Sequence, residues 1–270
     1  MSSKTIHYCW FGGKPLPSMA IKCIASWKKY FPSYEIKEWN EANYDVHKIP
    51  YTSEAYNARK YAFVSDYARF DILYQYGGLY FDTDVEVIKS FDDILMNGGF
   101  IGLEFHGGVA TGLGMGCNAG LNIVYQILNS YAGLHFLKED GTHNLKTVVE
   151  YTTDILKRYG LKEENILQEF DGFILYPAEF FCPMDYRTGN IFITDNTHSI
   201  HHYEGSWVPE ERLFADRIRR KVYAILGDNF LSEIVTIVIC VLTRIRKRGL
   251  VCSIKYYYSE YKYVRPNINI

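Results

Sequence analysis

The sequence lacks the features that mark several large classes of protein. None of its apolar runs approaches the ~20 residues that a membrane-spanning helix needs. The N-terminus has Lys4 and then a strand-like run where a signal peptide would have an apolar segment. The formal net charge is −2, so the overall balance does not favour a nucleic-acid partner. From these absences we expect a cytoplasmic protein that does not bind nucleic acid.

Cysteine pairs and a phosphate-binding loop are also missing. The six cysteines are scattered without a Cys-x-x-Cys motif, so we interpret them as reduced, mostly buried thiols. The glycine-rich stretch 106–117 has no Gly-Lys-Ser/Thr and no helix directly after it, which argues against a P-loop. We predict a mobile lid or acceptor loop there, because glycine tolerates unusual backbone angles.

What the sequence does contain fits one sizeable core. The chain has 270 residues, of which 48% are hydrophobic and 22% charged, as is ordinary for a folded protein. Aromatic residues are frequent, at 16% with 24 Tyr. This content favours surfaces that stack on sugars or lie at a membrane interface. Aromatic side chains packed in a large core explain it equally well.

Local periodicity predicts a series of alternating helices and strands. A strand, a helix and a strand near the N-terminus are typical of a nucleotide-binding half-sheet. In the first helix we expect Ile21, Ile24 and Trp27 to face inward. The predicted strands are 5–11, 34–38, 79–81 with a continuation at 85–88, 100–105, and 191–194 as the last core strand; the predicted helices are 17–30, 61–76, 121–131 and 142–159.

The stretch 61–84 has the most informative pattern. Its helix has apolar or aromatic residues at spacings of three and four, which predicts one buried face. The pair Gly77-Gly78 ends this helix, because a left-handed C-cap favours a residue without Cβ. A short apolar strand follows. This order places whatever comes next at the end of a buried strand, in the crevice where open α/β sheets bind ligands.

Charged residues lie on both sides of that strand. Asp82 and Asp84 follow it, and side chains two apart on an extended chain point the same way. Paired carboxylates there suit a divalent cation whose other ligands are phosphate and water; a solvated turn is the alternative. Ser65, Asp66 and Arg69 lie on the helix before the strand. Asp66 and Arg69 share a face and can pair, or form an ordinary surface ion pair.

Four blocks of sequence together resemble a known family. They are residues 7–13 (His-Tyr-Cys-Trp-Phe-Gly-Gly), 65–69 (Ser-Asp-x-x-Arg), 77–84 (Gly-Gly-Leu-Tyr-x-Asp-x-Asp) and 201–207 (His-His-Tyr-Glu-Gly-Ser-Trp). In this order they resemble the DXD-motif sugar transferases of glycosyltransferase family 32, of the capsular polysaccharide type. More distantly, they resemble the catalytic domain of the large glucosylating bacterial toxins.

The resemblance implies a fold and a domain organisation. The expected fold class is α/β, with a GT-A-like nucleotide-sugar-binding mixed sheet flanked by helices. We expect the catalytic domain to span 1–211, about the part of the chain that the resemblance covers. The remaining residues, 212–270, form a basic, aromatic-rich helical extension that the resemblance does not explain.

The resemblance also implies roles for individual residues. Asp66 and Arg69 are expected to contact the hydroxyl groups of the donor sugar, and Asp82 the ribose or the sugar. Asp84 is expected to be the direct metal ligand, with Asp82 beside it in the metal site. Trp10 is expected to stack on the nucleotide base, with a core tryptophan as the alternative. The other residues expected to bind the nucleotide sugar are Tyr8, Ser65, Tyr80, Ser206 and Trp207.

The last block is expected to fold over the diphosphate and complete the metal site. Of its histidines we favour His202 as the ligand, because Gly205 lets the backbone approach phosphate. His201 and Glu204 are alternative ligands, and both histidines can instead be buried, hydrogen-bonded residues. Histidine suits manganese better than magnesium, so Mn²⁺ is favoured and Mg²⁺ is the alternative.

The mechanism stays open at this point. The resemblance implies that the sugar keeps its anomeric configuration, which a carboxylate nucleophile can achieve. Glu104 and Glu179 are the acids that we consider for this role, and Glu104 is our choice for a catalytic residue. Direct attack on the same face of the sugar, with the leaving phosphate taking the acceptor proton, needs no protein nucleophile.

The C-terminal extension has its own charge pattern. Between 212 and 265 there are twelve Lys or Arg against four Asp or Glu. Basic clusters at 217–221 and 244–248 flank an apolar run at 230–242, and tyrosines follow it. This pattern favours an interfacial helix on an anionic cytoplasmic leaflet, at the inner face of the plasma membrane. A helix packed on the domain or in a homodimer is the alternative.

The sequence therefore predicts a metal-dependent retaining glycosyltransferase that moves a hexose from a nucleotide diphosphate sugar to a glycan. UDP-Gal or UDP-GlcNAc is the favoured donor, and GDP-mannose is the alternative. We expect the acceptor to be a glycan or a lipid-linked oligosaccharide in surface or capsular polysaccharide synthesis. A nucleotide-sugar hydrolase and a non-catalytic membrane-associated nucleotide-binding protein are the alternatives from other classes.

Overall fold

The computed structural model describes residues 3–170, 172–205, 208 and 210–249. The chain divides into two compact units. The first comprises Met1–Met184 with Ile191–Trp207, and the second Asp185–Asn190 with Val208–Ile270. The predicted boundary between a catalytic domain (1–211) and a helical extension (212–270) stays a prediction.

A mixed sheet forms the centre of the first unit. In the described residues the strands are β1 (Thr5–Cys9), β2 (Glu35–Trp39), β3 (Gly78–Tyr80), β4 (Val85–Val87), β5 (Gly99–Leu103), β6 (Val109–Cys117), β7 (Gln168–Phe170), β8 (Phe173–Tyr176) and β9 (Ser199–His201). Seven of them form one sheet in the order β2-β1-β3-β6-β5-β8-β7. Strands β1, β2 and β3 are parallel to one another, whereas β6 runs antiparallel to both of its neighbours.

Helices flank this sheet. They are α1 (Ser18–Tyr30), α2 (Pro50–Asn57), α3 (Tyr61–Tyr76), α4 (Asp92–Met96), α5 (Asn122–Ser130), α6 (Val148–Lys157) and α7 (Ala178–Phe181), and the second unit contains α8 (Glu210–Leu226) and α9 (Phe230–Arg248). The predicted class, an α/β fold with a mixed sheet flanked by helices, is confirmed.

Helix α3 ends where the sequence predicted. Gly77 has φ +63°, and its N–H donates to the Leu73 carbonyl at 2.9 Å. Gly78 has φ +96°, and a Cβ there would lie 2.6 Å from the Thr5 carbonyl oxygen. Both positions therefore require glycine. The pair turns the chain directly into β3, which pairs with β1.

The core consists of two clusters of buried apolar side chains. One surrounds α3 and includes Phe63, Phe70 and Cys9. The other surrounds α1 and includes Trp27 and Tyr8. Neighbouring residues of β1 thus belong to different clusters, as the alternation of side chains along a strand requires. The sheet is covered on both faces, and functional groups at its edge are positioned by a rigid scaffold.

The predicted lid at 106–117 is wrong. Nine of these residues form β6, a fully buried strand in the middle of the sheet, and only the turn before it lies outside. Glycine is usually depleted in strands, but here it provides room for neighbouring groups. A Cβ at Gly114 would lie 2.8 Å from Phe81, and one at Gly112 would lie 2.0 Å from the Asp82 carboxylate.

Other predicted elements also differ from the structure. Residues 191–194 are not a core strand: Ile191 makes one bridge to Met184, and Phe192 and Ile193 are exposed. The predicted continuation at 85–88 does not extend β3: Val85–Val87 form β4, which pairs with β9 in a separate two-stranded sheet.

Two helix details also need correction. The helix predicted from residue 142 begins at Val148, where Thr147 and Glu150 form a capping box. Ile21 is 58% exposed, because the buried face of α1 is made of Ala20, Cys23, Ile24 and Trp27.

Candidate active site

Asp82 is held at the end of β3 by a central strand. Its N–H donates to the Gly112 carbonyl of β6 at 3.0 Å. Its carboxylate oxygen Oδ1 accepts from the Tyr80 hydroxyl at 3.0 Å and from Arg69 Nη2 at 3.2 Å. Since Oδ2 lies 2.0 Å from where a Cβ of residue 112 would be, the carboxylate fills the space that this glycine leaves. The side chain is thus fixed by its surroundings.

Arg69 connects the predicted sugar-binding residues. Its guanidinium is buried and donates to Asp66 at 2.9 Å, to Asp82 at 3.2 Å and to Thr111 at 3.1 Å. The guanidinium carbon also lies 5.0 Å from the centre of the Tyr80 ring. We call these five residues the arginine cluster. Burial acts to lower the pKa of Arg69, but Asp82, Tyr80 and Asp66 outweigh it and raise the pKa, so the side chain stays charged.

The surroundings of Asp66 in this cluster disfavour its ionised form. Burial raises its pKa to about 7, Arg69 lowers it, and the negative charge of Asp82 raises it further. Two carboxylates share one guanidinium, so the ionised cluster carries an uncompensated negative charge. Such perturbed groups are common at functional sites, where donors and acceptors are arranged for a ligand.

We expect Asp66→Asn to be at least as stable as the wild type above pH 7. The native pKa of about 7 exceeds the ordinary 3.8, so the native protein holds this proton more tightly than the unfolded chain. Wild-type stability therefore falls as pH rises between these two values, and Asp66→Asn escapes this loss. Urea unfolding should show the stability difference growing in favour of the variant by roughly 1–3 kcal/mol between pH 5 and pH 8. If the difference in unfolding free energy between Asp66→Asn and the wild type is the same at pH 5 and pH 8, it would contradict the burial of an ionised Asp66.

Asp84 lies in a second group, built by the pairing of β4 with β9. In this register Val85 is opposite His201. Asp84, which precedes Val85, therefore lies beside the residues that follow His201. The Asp84 carboxylate lies 3.3 Å from Nε2 of His201 and accepts from the Glu204 N–H at 3.0 Å. Burial acts to raise the pKa of Asp84, but His201 and the Glu204 amide lower it to about 2. The carboxylate is ionised at neutral pH.

The two histidines face different partners. The ring of His202, which we favoured as metal ligand, lies 2.8 Å from Glu86, and Glu86 also accepts from Lys22 at 2.7 Å. The His202 N–H donates to the Asp84 carbonyl at 3.0 Å, so only its backbone contacts Asp84. The ring that faces the Asp84 carboxylate is that of His201, our alternative ligand. Burial acts to lower the pKa of His201, but Asp84 raises it well above its usual range.

Tyr203 holds the last block in place. It has φ +51°, which is uncommon for a residue other than glycine. Its hydroxyl lies 2.8 Å from the Cys182 thiol, and its ring centre lies 4.2 Å from that of His201. The bend at Tyr203 brings the next residue, Glu204, back to Asp84. Strained backbone of this kind persists only where the surroundings fix it, and it clusters at functional sites.

One of the two candidate nucleophiles, Glu104, has the site histidine as an electrostatic neighbour. Burial raises the pKa of Glu104, while the charges of His201 and His106 lower it. Glu179 instead accepts from Thr194 at 3.1 Å and from Asn196 at 3.0 Å on an exposed turn. Its hydrogen-bonding capacity serves that turn, so the structure offers no support for a catalytic role of Glu179.

The remaining predicted nucleotide-binding residues make other contacts. The Tyr8 hydroxyl donates to Glu38 at 2.7 Å. Trp10 lies at the end of β1, where its indole donates to the Lys14 carbonyl at 2.6 Å. Ser65 donates to the Tyr61 carbonyl of its own helix at 3.2 Å. Ser206 and Trp207 lie outside the described residues.

Comparison with known proteins adds to this geometry. Residues 17–101 match the family model described as the glycosyltransferase sugar-binding region containing DXD motif. That segment includes α3, β3, Asp82 and Asp84, so the motif in the name has its counterpart at the site. Over this segment the chain is similar to DXD-motif glycosyltransferases. The resemblance stated from the sequence is confirmed, and so is the prediction of a transferase.

Two solved structures are similar to parts of this chain. One, described as PaToxG glycosyltransferase, is 19% identical over 58% of this chain and 70% of that chain, with a TM-score of 0.44. The other is described as a glycosyltransferase involved in the glycosylation of the major capsid of PBCV-1. It is 16% identical over 75% of this chain and 94% of that chain, with a TM-score of 0.39. Neither likeness is strong enough to assign residues of the site. The comparison with curated proteins gives no match.

DXD-motif glycosyltransferases generally use a divalent metal. In the part of the chain that the structure describes, no three His, Cys, Asp or Glu side chains gather as a metal cage. A metal that binds a nucleotide needs only one or two carboxylates, since phosphate and water supply the other ligands. The ionised Asp84 fits this requirement. His201 could add an imidazole nitrogen beside this carboxylate, and its buried Nδ1 has no hydrogen-bond partner among the described residues.

Sequence reasoning missed several residues that build the site. Gly112 and Thr111 belong to the strand that we predicted as a loop. Glu86 was not singled out, although it lies two positions beyond Asp84 on β4 and fixes His202. Cys182 has no local motif at all. The available signal for Gly112 was its position in a stretch where glycine alternates with apolar residues, a pattern that also fits a strand crowded by its neighbours.

Proposed function

We propose that this DXD glycosyltransferase transfers a hexose from a nucleotide diphosphate sugar to a glycan, with a divalent metal and with retention of configuration. The observation that carries the proposal is the assembly of two groups around the DXD residues. The arginine cluster holds Asp82, and the pairing of β4 with β9 holds Asp84 against His201. One group suits sugar hydroxyls, and the other suits a metal and a diphosphate.

The arginine cluster has the chemistry of a sugar-binding site. Asp66 and Asp82 accept hydrogen bonds, and Arg69 donates them from a rigid planar group. A sugar hydroxyl both donates and accepts, so a pair of opposite character orients it. The bonds within the cluster fix each of these side chains before the ligand arrives. Preorganised groups lose little conformational freedom on binding, which favours affinity.

Asp84 and His201 would hold the metal. A divalent cation bound there supplies positive charge to the departing diphosphate. The protein's part is to keep the Asp84 carboxylate ionised and oriented, which the Glu204 amide and the His201 ring do. His201 would have to release its ring proton to become a ligand. We assign Mn²⁺ as the favoured metal, because an imidazole ligand suits it better than Mg²⁺.

The donor and acceptor are assigned from the sequence resemblance. UDP-Gal and UDP-GlcNAc are the first choices, and GDP-mannose is the second. The acceptor is a glycan or a lipid-linked oligosaccharide of surface or capsular polysaccharide. Glu104 is the acid that we place near the anomeric carbon, because its carboxyl experiences the charge of His201. Same-face attack that uses the leaving phosphate as base requires no such acid.

A thermal-shift panel tests the donor and the metal together, since a ligand that binds only the native state raises the apparent melting temperature. The purified chain is heated with UDP-Gal, UDP-GlcNAc, UDP-glucose or GDP-mannose, each with Mn²⁺, Mg²⁺ or EDTA. We expect one nucleotide sugar to raise Tm in Mn²⁺ and to lose most of this effect in EDTA. An Asp84→Asn control should show no metal-dependent rise. If no nucleotide sugar raises Tm in either metal, the proposal is wrong.

Product analysis with the donor so identified then separates transfer from hydrolysis. Transfer predicts that the labelled hexose appears on an added glycan acceptor. A hydrolase predicts free hexose at the same rate with and without acceptor. Binding without any turnover would support the non-catalytic alternative.

A further inference from the structure

Helix α9 of the second unit buries polar residues and exposes apolar ones. Ser232 and Thr236 are fully or nearly fully buried in the hairpin that α9 forms with α8, and Cys240, one turn further along the same face, is half-buried. The exposed large apolar side chains of α9 are Phe230, Leu231, Ile234, Ile237, Val238 and Leu242. A helix packed in water normally shows the opposite arrangement.

The buried hydroxyl groups of α9 have hydrogen-bond partners. The Ser232 hydroxyl donates to the Gly227 carbonyl at 2.5 Å, and the Thr236 hydroxyl donates to the Ser232 carbonyl at 2.8 Å. Small residues four apart allow two helices to approach closely, as in helix pairs that pack within lipid. On the α8 side, Val222 and Tyr223 are buried. Ser232 and Thr236 can therefore occupy the buried face of α9, because their hydroxyl groups are hydrogen-bonded there.

The exposed face is continuous and extends around the hairpin tip. Phe230 is 78% exposed and Ile237 is 58% exposed, and they lie seven positions apart on one side of α9. Ile225 and Leu226, the last residues of α8, are also exposed. Contiguous apolar surface of this kind marks a protein or membrane contact. Within the described residues, no helix is long and apolar enough to span a bilayer.

The charged residues of the second unit favour a membrane over a protein as the partner of this apolar face. Arg217 and Lys221 of α8 and Arg246 of α9 are exposed. Glu233 is the single acid in the sequence of α9, and it lies 3.8 Å from Arg187 and 3.4 Å from the Tyr223 hydroxyl. Arg187 also pairs through both of its terminal nitrogens with Asp228, an exposed acid of the hairpin tip, so Glu233 and Asp228 share this one cation. An apolar stripe with three exposed cations, beside two acids that pair with Arg187 of the same unit, matches an interfacial helix on anionic lipid.

We propose that the exposed face of α9 and the hairpin tip dock onto an anionic membrane surface, with the apolar side chains at the boundary between headgroups and acyl chains. The cations contact the lipid phosphates. The partner is the anionic lipid of a cytoplasmic leaflet. This proposal uses only residues of the second unit and does not depend on the proposed donor or metal.

Vesicle flotation with the full chain tests this proposal. The vesicles are phosphatidylcholine alone, or phosphatidylcholine with about 30% phosphatidylglycerol. We expect the wild type to float with the anionic vesicles and to lose at least ~tenfold of its partition coefficient on the neutral ones. Ile237→Asp and Leu242→Asp should each lower partitioning to anionic vesicles by at least ~tenfold, because a charge replaces a buried apolar side chain.

A matched variant controls for the new charge. Met96 on α4 is an exposed apolar residue of the first unit, so Met96→Asp makes the same chemical change there. It should float like the wild type, and all variants should give the same far-UV circular dichroism. Three results would overturn the proposal: no flotation of the wild type, equal flotation of Ile237→Asp, or a solution dimer that Ile237→Asp dissociates. The last result would assign the face to a second copy of the chain.

Discussion

Replacing Asp84 by asparagine should reduce turnover by roughly 10²–10³-fold, the cost of losing one preorganised electrostatic group at a reacting centre. Asparagine keeps the size of the side chain and one oxygen for the Glu204 amide, but it removes the charge that pairs with His201. A metal would lose its anionic ligand. Initial rates of hexose transfer, measured across a Mn²⁺ titration, would show a higher metal requirement and a lower kcat.

Glu86→Gln is the matched control for this experiment. Glu86 lies two positions beyond Asp84 and pairs with His202 and Lys22. If His201 is the metal-site histidine, this variant should change kcat less than about threefold, since a partly exposed ion pair contributes little. Metal-dependent turnover that survives in Asp84→Asn, or a larger loss in Glu86→Gln, would contradict our assignment. The second outcome would return the role to His202.

The substitution Gly112→Ala, which adds one methyl group, should reduce activity nearly as much as Asp84→Asn. The Cβ of Gly112→Ala would lie 2.0 Å from Asp82 Oδ2 and 3.2 Å from Arg69 Nη1. Since real contacts of this kind are well above 3 Å, the carboxylate must leave its place. We expect kcat/KM for the donor to fall by roughly 10²-fold, because small displacements of positioning groups are this costly.

Gly102→Ala separates activity from stability in this test. Gly102 lies on the neighbouring strand β5, and its Cβ would meet Phe181 at 3.0 Å and Leu113 at 3.2 Å. Crowding there strains the apolar core and should lower stability by about 1–3 kcal/mol. The folded enzyme should keep its kcat/KM. If Gly112→Ala retains wild-type kcat/KM, Asp82 has no positional role in donor binding.

The part of the site that the sequence predicted well is local. Helix α3, the glycine pair and the strand before Asp82 follow from side-chain spacing and from the backbone angles that glycine permits. The pairing of Asp66 with Arg69 follows from their separation of three positions on that helix. These features need no information from other parts of the chain.

The features that failed depend on distant neighbours. Gly112 looks like a loop residue until Asp82 and Arg69 occupy the space beside it. The choice between His201 and His202 depends on strand register, because a shift of one residue exchanges the two faces. The pairing of Val85 with His201 fixes that register. No spacing within residues 201–207 contains this information.

That same pairing has a consequence for how the enzyme is made. Glu204 contacts Asp84 across 120 positions of sequence, so both ends of the contact emerge from the ribosome at well-separated times. Contacts of large sequence separation form slowly, because closing the intervening loop costs entropy. A nascent chain that stops before Ser199 would carry both acids of the motif and still lack the histidine beside them. Competence for catalysis should therefore appear late in folding, after most of the sheet has formed.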